Sequence, residues 1–153
     1  MPNTPTPIAL LMADDDEDDC LLTKDALAES HLINRLHFVH DGAELLDYLH
    51  HRGRFADPQA APRPGLILLD LNMPRKDGRE ALREIKTDPA LRLIPVVVLT
   101  TSKAEEDILK TYDLGASAYV TKPVTFEGLV DVMRTLGEFW FEIVSLPPPE
   151  EGG

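Results

Sequence analysis

Side chains suited to metal and phosphate chemistry stand at the ends of four apolar segments of this sequence. Asp70 closes the most apolar of them, residues 66–69, and such a segment is typical of a strand that is buried on both faces of a sheet. The other three segments end in Asp14 and Asp15, in Thr100, and in Lys122. Because ligands collect beyond the carboxyl ends of parallel strands, we expect these groups to form one acidic pocket that attracts a cation.

The pattern of apolar residues predicts the scaffold that would hold these groups. Five apolar segments alternate with segments of helical periodicity, which is typical of βα units around a parallel sheet. The predicted fold class is α/β, with a doubly wound, five-stranded parallel sheet. The predicted strands are residues 8–13, 36–39, 66–70, 94–99 and 118–120, and the predicted helices are 18–29, one that begins near residue 41, 79–86, 103–114 and 126–143.

Several local signals refine this prediction. Four residues at helical spacing predict the buried face of the first helix: Leu21, Leu22, Ala26 and Leu27. Asp41 predicts the N-cap of the second helix, and Gly115 predicts the C-terminal cap of the fourth. Residues 53–65 contain three prolines and no periodic pattern, so they predict a surface loop.

Composition limits the possible classes of function. At 153 residues and 17.0 kDa, with 43% hydrophobic residues, the chain predicts one globular domain. A net charge of −12 would repel phosphate backbones, so nucleic acid is not expected as a direct partner. No apolar run approaches the ~18 residues of a membrane span, and residues 1–7 do not resemble a signal peptide, so we expect a cytoplasmic protein without membrane contact. A single cysteine, Cys20, suits a reducing compartment.

The ordered set of Asp14, Asp15, Asp70, Thr100 and Lys122 followed by Pro123 is similar to the receiver domain of two-component response regulators. The spacings also fit, with 30 residues from Asp70 to Thr100 (100 − 70) and 22 from Thr100 to Lys122 (122 − 100). The resemblance implies a flavodoxin-like receiver fold, and we expect this domain over residues 8–144 after a disordered segment 1–7. The prolines 147–149 and the acidic, glycine-rich end predict an extended tail, residues 145–153. Residues 99–102 and the C-terminal tail resemble, more narrowly, the single-domain regulators of bacterial phytochrome kinases.

The resemblance implies a role for each residue of the set. Asp70 would accept a phosphoryl group from a phosphohistidine of a sensor histidine kinase, and the narrower resemblance implies that this kinase is a phytochrome. Mg²⁺ would be bound by the side chains of Asp15 and Asp70, by the backbone carbonyl of Asn72, and by Asp14 through water.

The remaining positions would stabilise or report the phosphoryl group. Thr100 would donate a hydrogen bond to it, and Lys122 would neutralise one of its oxygens. The family commonly has a cis peptide at the lysine-proline step, which makes Lys122 and Pro123 a candidate. Thr100 and Tyr119 are candidates for the switch that responds to phosphorylation.

Rival interpretations of the acidic segments fail at particular residues. The pattern Asp14-x-Asp16-x-Asp18 begins like a calcium loop, but Asp19 stands where that loop needs glycine. No glycine is followed by Lys-Ser or Lys-Thr, so the phosphate loop of a nucleotide hydrolase is missing. A haloacid-type phosphatase would need aspartate at position 72, which is Asn72.

We therefore expect a phosphorylation-controlled protein interaction switch with an unknown downstream protein, rather than an enzyme that turns over a substrate. A phosphate sink or relay intermediate and a Mg²⁺-dependent phosphohydrolase stay open as alternatives. The last predicted helix is apolar around more of its circumference than one sheet face requires, which predicts a homodimer through Phe139, Trp140 and Ile143.

Overall fold

Five parallel strands form the single sheet of the computed structural model, which describes residues 8–32, 34–101 and 104–138. Their order is β2-β1-β3-β4-β5, and every neighbouring pair is parallel. The predicted doubly wound α/β fold is thereby confirmed. The strands are β1 (Leu10–Ala13), β2 (Leu36–Val39), β3 (Leu66–Leu69), β4 (Val96–Thr100) and β5 (Ala118–Thr121). The helices are α1 (Glu17–Glu29), α2 (Gly42–Leu49), α3 (Gly78–Thr87), α4 (Glu105–Asp113) and α5 (Phe126–Leu136).

Alternating side chains of the central strands divide the core into two apolar layers. Leu11 of β1 and Ile67 of β3 pack in a cluster that includes residues of α2 and α3. Leu10 and Leu68 pack on the opposite face with residues of α1 and α5. Each fully buried leucine contributes about 1.5–3 kcal/mol relative to an exposed one, so both layers hold the sheet rigid beneath its polar edge.

Polar residues set the start of four helices. Asp16, Asp41, Asp77 and Thr125 each accept a backbone N–H from the first turn of α1, α2, α3 and α5. The predicted cap at Asp41 is therefore confirmed. Gly115 has a φ of 108° just beyond α4, a conformation that favours glycine, which confirms the predicted end of that helix.

The predicted buried face of α1 is partly wrong. Leu21 and Leu22 are 58% and 45% exposed, whereas Cys20 and Thr23 are buried beside Ala26 and Leu27. The cap at Asp16 fixes where the helix begins, and the face of Cys20 and Thr23 is the one that packs toward the sheet. Periodicity indicates that a helix has an apolar stripe, but the side chains against which it packs decide the rotation about its axis.

The predicted loop over residues 53–65 contains a short 3₁₀ helix, Gly53–Phe55, and part of the loop is anchored to the core. Ala61 is only 1% exposed, and the hydroxyl of Tyr48 donates to the Pro62 carbonyl over 2.9 Å. Among the described residues, no helix is both long and apolar enough to cross a membrane.

Candidate functional site

Two carboxylates meet where β1 and β3 end side by side. The last pair in register is Ala13 with Leu69, and the Asp70 N–H donates to the Ala13 carbonyl over 3.0 Å. Asp14 follows Ala13 directly, and Asp70 follows Leu69. The two aspartates are therefore neighbours at the same edge of the sheet. Asp14 is fully buried and Asp70 is 7% exposed.

The carboxylate of Asp70 accepts hydrogen bonds on both oxygens. The hydroxyl of Thr100 donates to Oδ1 over 2.8 Å, and the backbone N–H of Asn72 donates to the same oxygen over 3.2 Å. The ammonium of Lys122 lies 3.3 Å from Oδ2. The structure thus brings Asp70, Thr100 and Lys122 together, although they are far apart in the sequence.

Strand pairing delivers Lys122 to this edge. Thr121 pairs with Thr100, and the next backbone N–H, that of Lys122, donates to the Thr100 carbonyl over 2.8 Å. Its Nζ then lies 2.7 Å from Asp14 Oδ2. Burial would lower the pKa of Lys122, but hydrogen bonds to Asp14 and Asp19 outweigh it and raise that pKa, so the ammonium stays charged.

Asp19 is a member of this site that the sequence analysis did not single out. Its Oδ2 accepts from Lys122 Nζ over 2.7 Å. The signal was present, because Asp19 precedes the buried residues Thr23 and Ala26 by four and seven positions (23 − 19 = 4; 26 − 19 = 7), a spacing that places all three on one helix face.

Three carboxylates could hold a divalent cation. Oxygen atoms of Asp14, Asp15 and Asp70 all lie within 4.8 Å of one another. Burial raises the pKa of Asp14 despite its hydrogen bond to Lys122, which is the shift expected for an anion desolvated beside another carboxylate. An all-oxygen set of this kind suits a hard cation such as Mg²⁺ or Mn²⁺.

The predicted cis peptide between Lys122 and Pro123 is wrong, because no cis peptide bond occurs among the described residues. The trans form is favoured even before proline, and this trans segment places the ammonium of Lys122 among the carboxylates. Tyr119, the second switch candidate, is half-buried on the edge strand β5, and its N–H donates to the Tyr112 hydroxyl of α4 over 3.2 Å. The proposed dimer residues Phe139, Trp140 and Ile143 lie outside the described part of the chain.

The thiol of Cys20 packs beneath the site, with Sγ 3.7 Å from the Asp14 carbonyl oxygen. Burial, with a smaller effect of Asp14, raises its pKa to about 12. We expect folded protein to react slowly with a disulfide reagent at about pH 8, because a thiol must ionise to attack. The thiol should react quickly once urea unfolds the chain.

The same shift predicts how stability depends on pH. The stabilisation from the buried, protonated Cys20 should be complete below the ordinary pKa of 9.0 and lost as pH rises toward about 12. Equilibrium unfolding of the wild type and Cys20→Ala over this range measures the difference, which should shrink as pH rises. Fast reaction of the folded thiol at about pH 8 would contradict the raised pKa of Cys20, on which both predictions rest.

Comparison with known proteins places this arrangement in a family. The model of the response regulator receiver domain matches residues 10–134, and the chain therefore belongs to that family of signalling proteins. Response regulator Rcp1 of Synechocystis sp. is 40% identical over 141 residues, which cover 92% of this chain and 94% of Rcp1.

Two solved structures extend the likeness to the fold. The crystal structure of the phosphorylated cyanobacterial phytochrome response regulator RcpA has a TM-score of 0.85 and 43% identity, and the match covers 94% of this chain and 100% of RcpA. The Mn²⁺-bound form of Rcp1 has a TM-score of 0.83 and 40% identity, with 93% and 100% covered. The chain is thus a receiver-domain response regulator homologous to phytochrome response regulators.

Proposed function

We propose that Asp70 accepts a phosphoryl group from a sensor histidine kinase in a Mg²⁺-dependent reaction, and that the phosphorylated chain controls a protein interaction. One observation carries this proposal. The Asp70 carboxylate lies at the end of β3 with Thr100 on one oxygen, Lys122 near the other, and two more carboxylates within 4.8 Å.

The chemical step is an attack by a carboxylate oxygen of Asp70 on the phosphorus of a phosphohistidine. A P–O bond forms, the P–N bond breaks, and its electron pair stays on the imidazole nitrogen, which then takes a proton. Lys122 stabilises the negative charge on the transferred group, and the hydroxyl of Thr100, which donates to Asp70 before phosphorylation, would donate to that group afterwards. The protein's contribution is mostly positioning and charge stabilisation.

The carboxylates of Asp15 and Asp70, the Asn72 carbonyl and, through water, Asp14 would hold Mg²⁺. When bound, the cation supplies positive charge that lets an anionic carboxylate approach an anionic phosphoryl group. The acidic cluster fits such a cation, and the Mn²⁺-bound form of the relative Rcp1 supports a divalent metal here.

The partner proposed for the site is a phytochrome-type histidine kinase, because the relative RcpA is a phytochrome response regulator. A cavity of about 110 Å³ beside Lys122 is rimmed by Leu22, Val124 and Phe126, which are 45%, 99% and 38% exposed. An apolar rim next to the acceptor suits the docking of a kinase helix that carries the phosphohistidine.

A homodimer stays a prediction for the segment after residue 138. Within the described residues, α5 buries Leu129, Val130, Met133 and Leu136 in the core, so this part of the helix covers its own sheet. Phosphorylation of Asp70 would change the positions of Thr100 and Tyr119, and the affinity for a downstream protein or for a second copy of the chain would change as a result.

Phosphorylation assays with and without Mg²⁺ test the proposed function. We expect a histidine kinase or acetyl phosphate to label the chain with one acid-labile phosphate per molecule only when Mg²⁺ is present. Asp15→Ala should lose most of this labelling and most of the stabilisation by Mg²⁺, which is about 2.7 kcal/mol at 100 times the Kd.

Asp18→Ala is the matched control for Asp15→Ala. Asp18 is an exposed acid three residues after Asp15, and its side chain makes no described contact. It should behave like the wild type. Repeated turnover of a phosphate monoester would instead favour a phosphohydrolase, and equal labelling of Asp15→Ala and the wild type would contradict the metal site.

A further inference from the structure

A buried carboxylate outside the acidic cluster joins α2 to the loop that follows Asp70. Asp41 is 1% exposed, and its Oδ1 accepts the Glu44 N–H over 2.8 Å as the cap of α2. Its Oδ2 accepts from Arg75 Nε over 2.8 Å and from a second guanidinium nitrogen. Burial would raise the pKa of Asp41, but these hydrogen bonds outweigh it and lower that pKa.

The backbones of the two segments are also in direct contact. The Gly42 N–H donates to the Lys76 carbonyl over 3.0 Å. A Cβ atom on Gly42 would lie 2.3 Å from that carbonyl oxygen, so any larger residue would push the loop away. The close contact with the start of α2 therefore restricts the position of the β3–α3 loop, residues 71–77.

Arg75 adopts a backbone conformation that needs such support. Its φ is 64°, in the left-handed region that residues other than glycine rarely occupy. The guanidinium is mostly exposed, apart from its bonds to Asp41. A strained residue held chiefly by one buried partner is typical of a loop whose shape serves a site.

The other end of the same loop closes on Asp70. The Gly78 N–H donates to the Leu71 carbonyl over 3.0 Å, and a Cβ on Gly78 would lie 2.3 Å from the Asp70 carbonyl oxygen. Between these contacts lies Asn72, whose N–H is bonded to the Asp70 carboxylate. Because Asn72 and Arg75 belong to the same short loop, a displacement of Arg75 would also move the backbone of Asn72.

We propose that Asp41 and Arg75 are positioning residues, which hold the β3–α3 loop so that the Asn72 carbonyl faces the cation bound by Asp15 and Asp70. This inference rests on the proposed function. Neither residue would touch the cation or the phosphoryl group. Their ion pair would act through the backbone of residues 71–77.

Titration calorimetry of Mg²⁺ binding by the full chain tests the proposal. Asp41→Asn keeps a residue that caps helices well but removes the charge that holds Arg75. Arg75→Ala removes the guanidinium from the other side. We expect each variant to weaken Mg²⁺ binding about fivefold, less than the roughly 10- to 100-fold typical when a direct partner of a metal ligand is lost. The double variant should be no weaker than either single one, because both remove the same pair.

Arg54→Ala is the matched control, since Arg54 is similarly exposed and pairs with Glu44 of α2, and none of its described contacts is with the loop. It should bind Mg²⁺ like the wild type. With acetyl phosphate, Asp41→Asn and Arg75→Ala should need about fivefold more Mg²⁺ for half-maximal labelling but reach the wild-type rate when Mg²⁺ saturates. A lower melting temperature alone would not produce this shift.

The outcomes separate the two proposals. Wild-type Mg²⁺ affinity in both Arg75→Ala and Asp41→Asn would overturn the positioning role and leave the proposed function standing. If Asp41→Asn did not fold, Arg75→Ala would decide, because its side chain is on the surface. Wild-type protein that binds no Mg²⁺ would overturn the proposed function and this inference with it.

Discussion

Asp70→Asn is expected to reduce phosphorylation by a histidine kinase or by acetyl phosphate to background. The amide has nearly the shape of the carboxylate and can still accept the Thr100 hydrogen bond, but it is a poor nucleophile toward phosphorus. The variant should fold, because the hydrogen bonds at the end of β3 can persist. Radiolabelling or intact-mass measurement of the acid-labile phosphate gives the result directly.

Asp25→Asn provides the control for a general loss of negative charge. Asp25 is exposed on α1 and has no described side-chain contact, so its variant should be labelled like the wild type. Stoichiometric labelling of Asp70→Asn would show that another residue is the acceptor, and the proposed function would then need a different nucleophile.

Lys122→Ala is expected to destabilise the protein by about 3 kcal/mol when no divalent cation is present, because removal of one partner leaves buried charge uncompensated. The ammonium is 13% exposed and contacts Asp14, Asp19 and Asp70, and Asp14 is fully buried. Saturating Mg²⁺ should restore much of the loss, since a cation relieves the repulsion among the same carboxylates. Denaturant unfolding with and without Mg²⁺ measures both effects.

Two other lysine variants sharpen this test. Lys24→Ala removes an exposed lysine of α1 and should change stability little in either condition. Lys122→Arg retains the charge and should recover part of the stability but not the full response to phosphorylation, because the larger planar group cannot occupy the position of the ammonium. Equal unfolding of Lys122→Ala and the wild type without Mg²⁺ would show that the ion pairs contribute nothing net.

The cap at Asp41 shows how a local prediction can be confirmed and still be incomplete. Its helix-capping role follows from the residue type and the following periodicity, because both are properties of neighbouring residues. Its second role, the ion pair with Arg75, joins positions 34 residues apart and depends on how β3 and α2 lie beside one another. No local pattern contains that information.

The acidic site itself was predictable from sequence for a physical reason. Parallel strands all point the same way, so polar residues that follow buried strands must gather at one edge of the sheet. Asp14, Asp70, Thr100 and Lys122 are each placed by that rule. The observed order β2-β1-β3-β4-β5 keeps the ends of β1, β3, β4 and β5 consecutive, so that these four residues lie close together.

Tertiary packing alone decided which side chains are in contact at the carboxyl ends of these strands. The rotation of α1 brings Asp19 to Lys122 and leaves Leu21 and Leu22 exposed, although the sequence pattern predicts that both leucines are buried. Sequence determined the elements and the chemistry at their ends because these follow from period and residue type, whereas helix rotation and ion-pair partners depend on contacts between segments that are distant along the chain.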